Sequence, residues 1–429
     1  MTPRLLAFDL LCKAEKSKQY SNIALDGALL QSGMSDADRA LASALFYGVI
    51  ERRITLDYQL AKLSSRELCQ LDRDVLIALR LGLYQLMYMD RIPDHAAINE
   101  TVDLCPRKKA GFVNAILRSY TRTGASALPS KETDPVEYLS AAYSVSPLLC
   151  EKLMGVYGFE TSESILEGIG AIPPTTLRVN TLNLSREELA ERIAGATPTE
   201  YSQNGLRVRG AVRELYGFEE GSFFVQDEAS QICVEALGAC EGETMLDICA
   251  CPGSKSFGSA IRMNNKGRII AFDLHENKLS LITSNAKRLG IDIIETRAQD
   301  GRVFIPELSE SADRVLCDVP CSGFGVLAKK PELRYKDPKE SEALPKIQYD
   351  ILNNACRYVK RGGTLVYSTC TIFPEENEEN LKKFLSSHPD FELCPFSVGS
   401  LDVPSGYITF LPSKNYSIDG FFISKLTRR

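Results

Sequence analysis

The chain has 429 residues, 44 % hydrophobic and 25 % charged, with a formal net charge of −6 and a pI near 5.5. That length calls for two or three domains, and the composition is that of a soluble globular protein, not a disordered or fibrous one. The acidic balance excludes a uniformly basic nucleic-acid binder while leaving room for a local basic face.

The N-terminus, Met1-Thr2-Pro3-Arg4, runs straight into an amphipathic pattern with no continuous signal core. No apolar run reaches the roughly 18 to 20 residues of a bilayer span. A cytoplasmic protein without a membrane partner is the expectation. Residues 1–123 then read as helix after helix. Pro3 to Lys16 carries Leu5, Leu6, Phe8, Leu10 and Leu11. Asp36 to Arg53 opens on an Asp cap and carries Leu41, Leu45, Phe46 and Val49, and Asp72 to Met89 is the most apolar helix. Pro93 stops the chain, Asp94 caps a helix from Ala96 to Leu104, and a last helix runs from about Lys109 to Thr123. With no strand signal, this is an all-α bundle large enough to own a core.

Polar residues and two prolines in Gly124 to Pro135 mark a linker, which extends to residue 140. From 141 to 240 short helices (Ser146 to Tyr157, Ser185 to Ala194) alternate with strands at Thr176 to Asn180 and Leu206 to Arg209, giving a small α+β subdomain. Arg178, Arg207, Arg209 and Arg213 are spread along it. They could meet phosphates, and an ordinary solvated face is an equal alternative. Phe223 to Ser230 leads into a helix ending near Leu237.

From 241 to 429 strands and helices alternate. Strands are expected at Thr244 to Cys249, Arg268 to Phe272, Ile291 to Thr296, Ala312 to Cys317 and Thr364 to Tyr367. Helices fall between Cys249 and about Arg262, and at Asn277 to Leu289, Glu340 to Tyr358 and Glu375 to Leu385. Tyr407 to Leu411 and Gly420 to Ser424 close as an antiparallel pair. Repeated βα units mean a mostly parallel, doubly wound sheet.

Chemistry concentrates at the ends of these strands. Asp247-Ile248-Cys249-Ala250-Cys251-Pro252-Gly253-Ser254-Lys255 is a glycine-containing turn between strand and helix, where backbone N–H groups can face an anionic ligand. It matches neither the dinucleotide glycine fingerprint nor the P-loop, so NAD enzymes and NTPases lose ground. Asp273 follows the second strand, suited to a ribose diol, with helix capping as the competing role. Asp300 follows the third and could accept from an adenine amino group. Three acids after three successive strands describe an adenosine-containing cofactor better than chance turns do.

Asp318-Val319-Pro320-Cys321-Ser322-Gly323 follows the fourth strand, and Tyr367-Ser368-Thr369-Cys370-Thr371 ends the fifth. The two stretches bring two thiols and a carboxylate to one edge. Glu375, Glu376, Glu378 and Glu379 behind them suit a helix N-terminus and read as caps. The 13 cysteines are an odd number without a secretion signal, so reduced thiols are expected. No Cys-x-x-Cys occurs, and no metal is expected. Only His95, His275 and His388 are present, so the chemistry has little imidazole to draw on. Lys329, Lys330, Arg334 and Lys336 form the most basic local run, able to guide RNA phosphates, with a solvated loop as the alternative.

Asp94-His95-Ala96-Ala97-Ile98-Asn99-Glu100 and Gly111 to Arg118 (GFVNAILR) resemble the NusB-like helical RNA-binding domain. The motifs DICACPGSK at 247–255, FD at 272–273, RAQD at 297–300, DVPCSGFG at 318–325 and STCT at 368–371 resemble the RsmB (Fmu/Sun) family of RNA 5-methylcytosine methyltransferases acting on 16S rRNA. The resemblance implies a class I methyltransferase sheet of Rossmann-like α/β type, preceded by an α+β RNA-recognition subdomain and a NusB-like bundle. It implies S-adenosyl-L-methionine held by Cys249, Ala250, Cys251, Pro252, Gly253, Ser254, Lys255, Asp273, Asp300 and Asp318. The family usually reads Pro-Gly-Gly-Lys; here Ser254 replaces the second glycine, which would strain the turn if that position needs a positive φ.

Carbon 5 of cytosine needs activation by a thiolate at carbon 6, and a base must later remove the carbon 5 proton. Asp318 is placed to stabilise the ring at nitrogen 3. The residues alone do not rank the thiols. By resemblance Cys370 is the nucleophile and Cys321 the base that releases product. A monomer is expected. The alternatives are a non-catalytic NusB-like RNA-binding factor, or a cytosine-5 methyltransferase acting on tRNA or DNA.

Overall fold

The computed structural model describes residues 1–17, 22–170, 174–414 and 418–429. The chain divides into two compact units: Met1–Leu166 with Lys330–Asp337, and Glu167–Lys329 with Pro338–Arg429.

The first unit is helical: α1 (Pro3–Ser17), α2 (Asn22–Gln31), α3 (Asp36–Glu51), α4 (Arg53–Leu63), α5 (Arg73–Tyr88), α6 (Asp94–Val102), α7 (Arg107–Thr123), α8 (Pro135–Tyr143) and most of α9 (Pro147–Ile169). Leu45, Leu56, Leu79, Leu83 and Leu117 are fully buried in its core. One such side chain stabilises by about 1.5 to 3 kcal/mol. Ser35 caps α3 by accepting from the Asp38 amide. The helix expected over Asp36 to Arg53 instead breaks at Arg52, where α4 begins. The break is stabilised because the first amides of α4 find side-chain acceptors, Tyr335 Oη for Arg53 and Ser144 Oγ for Ile54. Arg80 is buried in this core, bidentate to Asp57 at 2.7 Å and bonded to Glu15 at 2.7 Å.

The segment Lys330–Asp337 closes the same unit. Tyr335 lies under the Arg53 guanidinium, 3.9 Å from its ring centroid, and donates to the Ile50 carbonyl. Arg334 is buried, donating to Glu51 O at 3.2 Å and accepting from the Ser146 amide at 2.8 Å. This corrects the expected basic phosphate guide. Arg334 is spent inside the fold, and Lys329 is held by Asp227 and Asp419.

The second unit begins with a four-stranded antiparallel layer, β1 (Thr175–Val179), β2 (Thr197–Pro198), β3 (Gly205–Val208) and β4 (Phe223–Val225), in the order β2-β3-β1-β4 with α10 (Arg186–Arg192). Arg178 is its largest correction. It is fully buried and bonds Glu235 at 2.6 Å, because its place on β1 faces inward. Arg207 pairs with Glu228. Arg209 and Arg213 are exposed.

The α/β body follows as α11 (Glu228–Leu237), β5 (Thr244–Asp247), α12 (Ser254–Arg262), β6 (Arg268–Asp273), α13 (Glu276–Arg288), β7 (Ile294–Ala298), β8 (Ala312–Asp318), α14 (Leu344–Ala355), β9 (Val359–Thr369), α15 (Glu378–Ser387), β10 (Phe391–Leu393), the hairpin β11 (Phe396–Val398) and β12 (Leu401–Val403), β13 (Tyr407–Phe410) and β14 (Phe421–Arg428). The sheet order is β10-β14-β9-β8-β5-β6-β7, with β13 also on β14. Strands β5 to β9 pair in parallel and β14 runs antiparallel to β9, so the expected Rossmann-like sheet and its closing antiparallel pair are both present. Apolar side chains such as Leu246, Ile270, Val315, Leu316 and Leu365 are fully buried, as befits strands covered on both faces. The helix expected over Glu340 to Tyr358 is a 3₁₀ turn, then α14, then another turn. Pro345 sits in the first turn of α14, where its missing N–H costs nothing and it cannot continue a helix from before.

Candidate active site

The sheet order reverses at β5: β6 and β7 lie to one side, β8 and β9 to the other. Ligands in open α/β sheets bind outside the carboxyl ends of the strands at such a reversal. The parallel registers pair Asp247 with Leu316, Asp273 with Ala298 and Asp318 with Ser368. The expected residues therefore leave the sheet along one edge.

The register of β8 on β9 is what joins the thiols. Asp318 opposes Ser368, and both chains then run on past the edge to Cys321 and Cys370. Their Sγ atoms lie 3.1 Å apart, and the Cys370 amide points at Cys321 Sγ at 3.3 Å. The hydrogen bond to Cys370, followed by burial, pushes the Cys321 thiol well above its ordinary range. Asp318 is held from two sides. Lys255 Nζ donates to Oδ2 at 2.6 Å and Ser368 Oγ to Oδ1 at 2.8 Å. Burial works against the Lys255 charge, but Asp318 together with the Cys233 and Cys370 thiols outweighs it and raises the ammonium's pKa. Both Asp318 oxygens thus accept from side chains at the strand-end edge.

On the β5–β7 side the turn after β5 folds back on β6. Ala250 N donates to Phe272 O at 2.7 Å and Cys251 N to Asp273 Oδ2 at 3.3 Å. Burial pushes the Cys249 thiol strongly up, which suits a packed wall better than a nucleophile. The Cys251–Pro252 bond is cis. Gly253, not Ser254, takes the left-handed conformation, at φ 105°. Ser254 is the first residue of α12, so the backbone strain anticipated for serine there does not arise. Asp273 Oδ1 also accepts from the His275 amide. Asp300 is gripped by the Arg302 guanidinium and amide, which hold its carboxyl below the usual range. Asp247 is buried, with Ser256 donating to one oxygen, and burial pushes its pKa up to about 7.

These features fit an adenosine cofactor with an amino-acid tail. Gly253 gives α12 no side-chain cap, leaving first-turn amides for a carboxylate, and the acids offer acceptors for hydroxyl and amino donors. Among the described residues no cluster of metal-ligating side chains occurs, and no helix is long and apolar enough to cross a membrane.

Sequence reasoning missed the support behind Cys321. Glu376, expected as a cap, is 2 % exposed and turned inward. It accepts from the Ser322 amide at 2.9 Å, from Ser322 Oγ, and from Gln348 Nε2 at 2.7 Å. The helix starts later, at Glu378. Pro374 was the available signal, because a proline there delays the helix and frees the following carboxylates to point elsewhere. Arg302, two residues beyond Asp300, was also overlooked.

Residues 234–427 match the family model of the 16S rRNA methyltransferases RsmB/F, residues 1–122 the NusB family, and residues 148–213 the ferredoxin-like domain of RsmF/B-like methyltransferases. The probable ribosomal RNA small subunit methyltransferase B of Bacillus subtilis is 38 % identical over 99 % of this chain and 98 % of its own. That of Synechocystis is 35 % identical over 100 % of both, and the Klebsiella pneumoniae protein 34 % over 97 % and 95 %. Among solved structures, PH0851 superposes with a TM-score of 0.79 at 26 % identity, covering 100 % of this chain and 99 % of its own. A methyltransferase homolog protein from Pyrococcus horikoshii gives 0.59 at 28 % identity, over 68 % and 98 %. Full-length identity, three matched domain models and the shared sheet together place this chain in the ribosomal RNA small subunit methyltransferase B family.

Proposed function

We propose that the protein methylates carbon 5 of a cytosine in small-subunit (16S) rRNA, using S-adenosyl-L-methionine and a covalent cysteine–cytosine adduct. The observation that carries this reading is the contact of two thiols beside a carboxylate that is itself held by a lysine. The cofactor, bound by the 249–255 turn with Asp273, Asp300 and Asp318, supplies an electrophilic methyl group.

The chain's own residues do the rest. The Cys370 thiolate adds to carbon 6, and the ring's electrons shift to carbon 5. Nitrogen 3 of the ring, protonated from solvent, donates to Asp318, so addition of the thiolate leaves a neutral ring whose carbon 5 is nucleophilic, and that proton returns to solvent with the product. Cys321 first gives its thiol proton to solvent, and after methyl transfer the resulting thiolate takes the carbon 5 proton. The freed electron pair re-forms the carbon 5–carbon 6 double bond, and the Cys370 thiolate leaves. A thiol with a raised pKa is a strong acceptor once ionised, which suits Cys321 to this role. The target base must be unpaired or flipped to expose its face. We assign RNA recognition to the NusB-like residues 1–123 and the α+β residues 141–240, joined through 124–140 to the catalytic residues 241–429.

The test is to map 5-methylcytosine in small-subunit rRNA after incubation with the protein and cofactor, with tRNA and DNA in parallel. Cys370→Ala is expected to form no adduct, and Cys321→Ala to accumulate one on RNA. The opposite dependence would exchange the two roles. Methylation of tRNA or DNA alone would replace the substrate.

A further inference from the structure

Lys329 lies outside every motif that carries the proposed chemistry, yet it is tied to it. Its Nζ bonds Asp227 Oδ2 at 2.6 Å and Asp419 Oδ2 at 2.7 Å. Both carboxylates are nearly buried, at 11 % and 12 % side-chain exposure. Asp227 caps α11 through the Ala229 amide, and Asp419 is two residues before β14. One ammonium thus pins the end of the loop from Cys321 to Lys329 to two fixed elements.

The middle of that loop is stitched to the other thiol's backbone. Gly325 N donates to Cys370 O at 3.0 Å, and Gly420 N donates to Gly325 O at 2.8 Å. A Cβ on Gly325 would stand 1.9 Å from Gly420 O and 2.9 Å from Cys370 O, so three backbones meet with no room for a side chain. Asp419 and Gly420 are adjacent. The Lys329 clamp therefore holds the strip of chain that Gly325 leans on. Cys370 extends from β9, which is paired along both edges by β8 and β14. Cys321 stands three residues beyond β8, at the start of the clamped loop, next to Ser322, which Glu376 holds. Loosening the clamp should therefore move Cys321 more than Cys370, which the paired β9 holds as well.

We propose that Lys329, held between Asp227 and Asp419, is a positioning residue that sets the Cys321 thiol against Cys370, so that its loss slows product release more than adduct formation. This rests on the roles assigned above. Without Lys329 the two nearly buried carboxylates lose their shared cation, and among the described residues only the Ala229 and Asp419 amides on Asp227 remain to hold them.

The experiment uses the full chain with Lys329→Met, Lys329→Arg and Asp419→Asn, and small-subunit rRNA transcribed with cytidine or 5-fluorocytidine. Fluorine at carbon 5 blocks proton removal, so trapping on that RNA reports thiolate addition and methyl transfer together, without release. Release is read from adduct decay on ordinary RNA in single turnover, and thermal melting checks folding. Lys329→Met is expected to trap within about threefold of the parent rate while release falls about tenfold or more and adduct accumulates. Lys329→Arg should restore release. Asp419→Asn, which keeps the size of the side chain, should show a weaker form of the same split and stands in if Lys329→Met does not fold. Trapping and release falling in proportion, or neither changing, would overturn the proposal. Failure of the underlying roles reads out separately, as trapping by Cys370→Ala or no accumulation with Cys321→Ala.

Discussion

The two halves of the strand-end edge are built differently. Beyond β8 and β9 nearly every polar group is met by a side chain from another element: Lys255 and Ser368 on Asp318, Glu376 and Thr371 on Ser322, Asn377 on Thr369. Beyond β6 and β7 the holding is more local, Asp300 by Arg302 and Asp273 by the His275 amide, with the Cys251 amide reaching Asp273 from the turn after β5. Side chains fixed by distant partners are pre-organised for chemistry, where a displacement of one ångström costs rate. Local pairs can rearrange as a ligand enters. The half proposed for bond making is the stiff one, and the half proposed for cofactor exchange is the adaptable one.

The largest expected effect is on the stiff half. Cys370→Ala should lower methylation by about 10³-fold or more, with cofactor affinity retained in calorimetry. Glu376→Gln keeps the shape and removes the charge that the Ser322 amide and hydroxyl meet. Turnover should fall by roughly 10- to 100-fold while the cofactor Kd stays within about twofold. A change in Kd as large as the change in turnover would break the contrast between the halves.

On the adaptable half the sign reverses. Asp300→Ala should raise the cofactor Kd by about tenfold and leave turnover at saturating cofactor within about twofold. Arg302→Ala should move Kd by less than that, because a pair this exposed contributes little by itself.

Asp247 ends β5, between the two halves; it has the smallest expected effect on turnover and is read in stability instead. Its folded pKa is about 7 against 3.8 unperturbed. Between those values the folded chain keeps a proton that the unfolded chain has lost, so stability falls as pH rises from about 4 to 7. Asp247→Asn should flatten that part of the curve, by on the order of 2 to 4 kcal/mol, in denaturant titrations across the window.

The edge was legible in the sequence because its signals are local: an apolar run, then Asp-x-Pro-Cys or Ser-Thr-Cys. Parallel pairing follows from the βα rhythm, and it alone brings Cys321 near Cys370. Glu376 was not legible, since a carboxylate in an acidic run reads as solvated until a partner such as Ser322 is known to stand opposite. Arg178 misled for the same reason: strand periodicity gives two faces but not which one a neighbouring helix covers. The stop at Arg52 is likewise set from afar, by Tyr335 and Ser144.

That last dependence has a consequence for how the chain is made. The helical unit is finished by Lys330–Asp337, so the ribosome delivers its first helices long before the residues that close them. Domains generally fold as they emerge, N-terminal first. Here the amides of Arg53 and Ile54 begin with one partner, Ser144, and the other, Tyr335, arrives only after strands β5 to β8 have been synthesised. The helical unit reaches its final form late in translation, and a fragment ending at Leu166 would carry the same vacancy permanently.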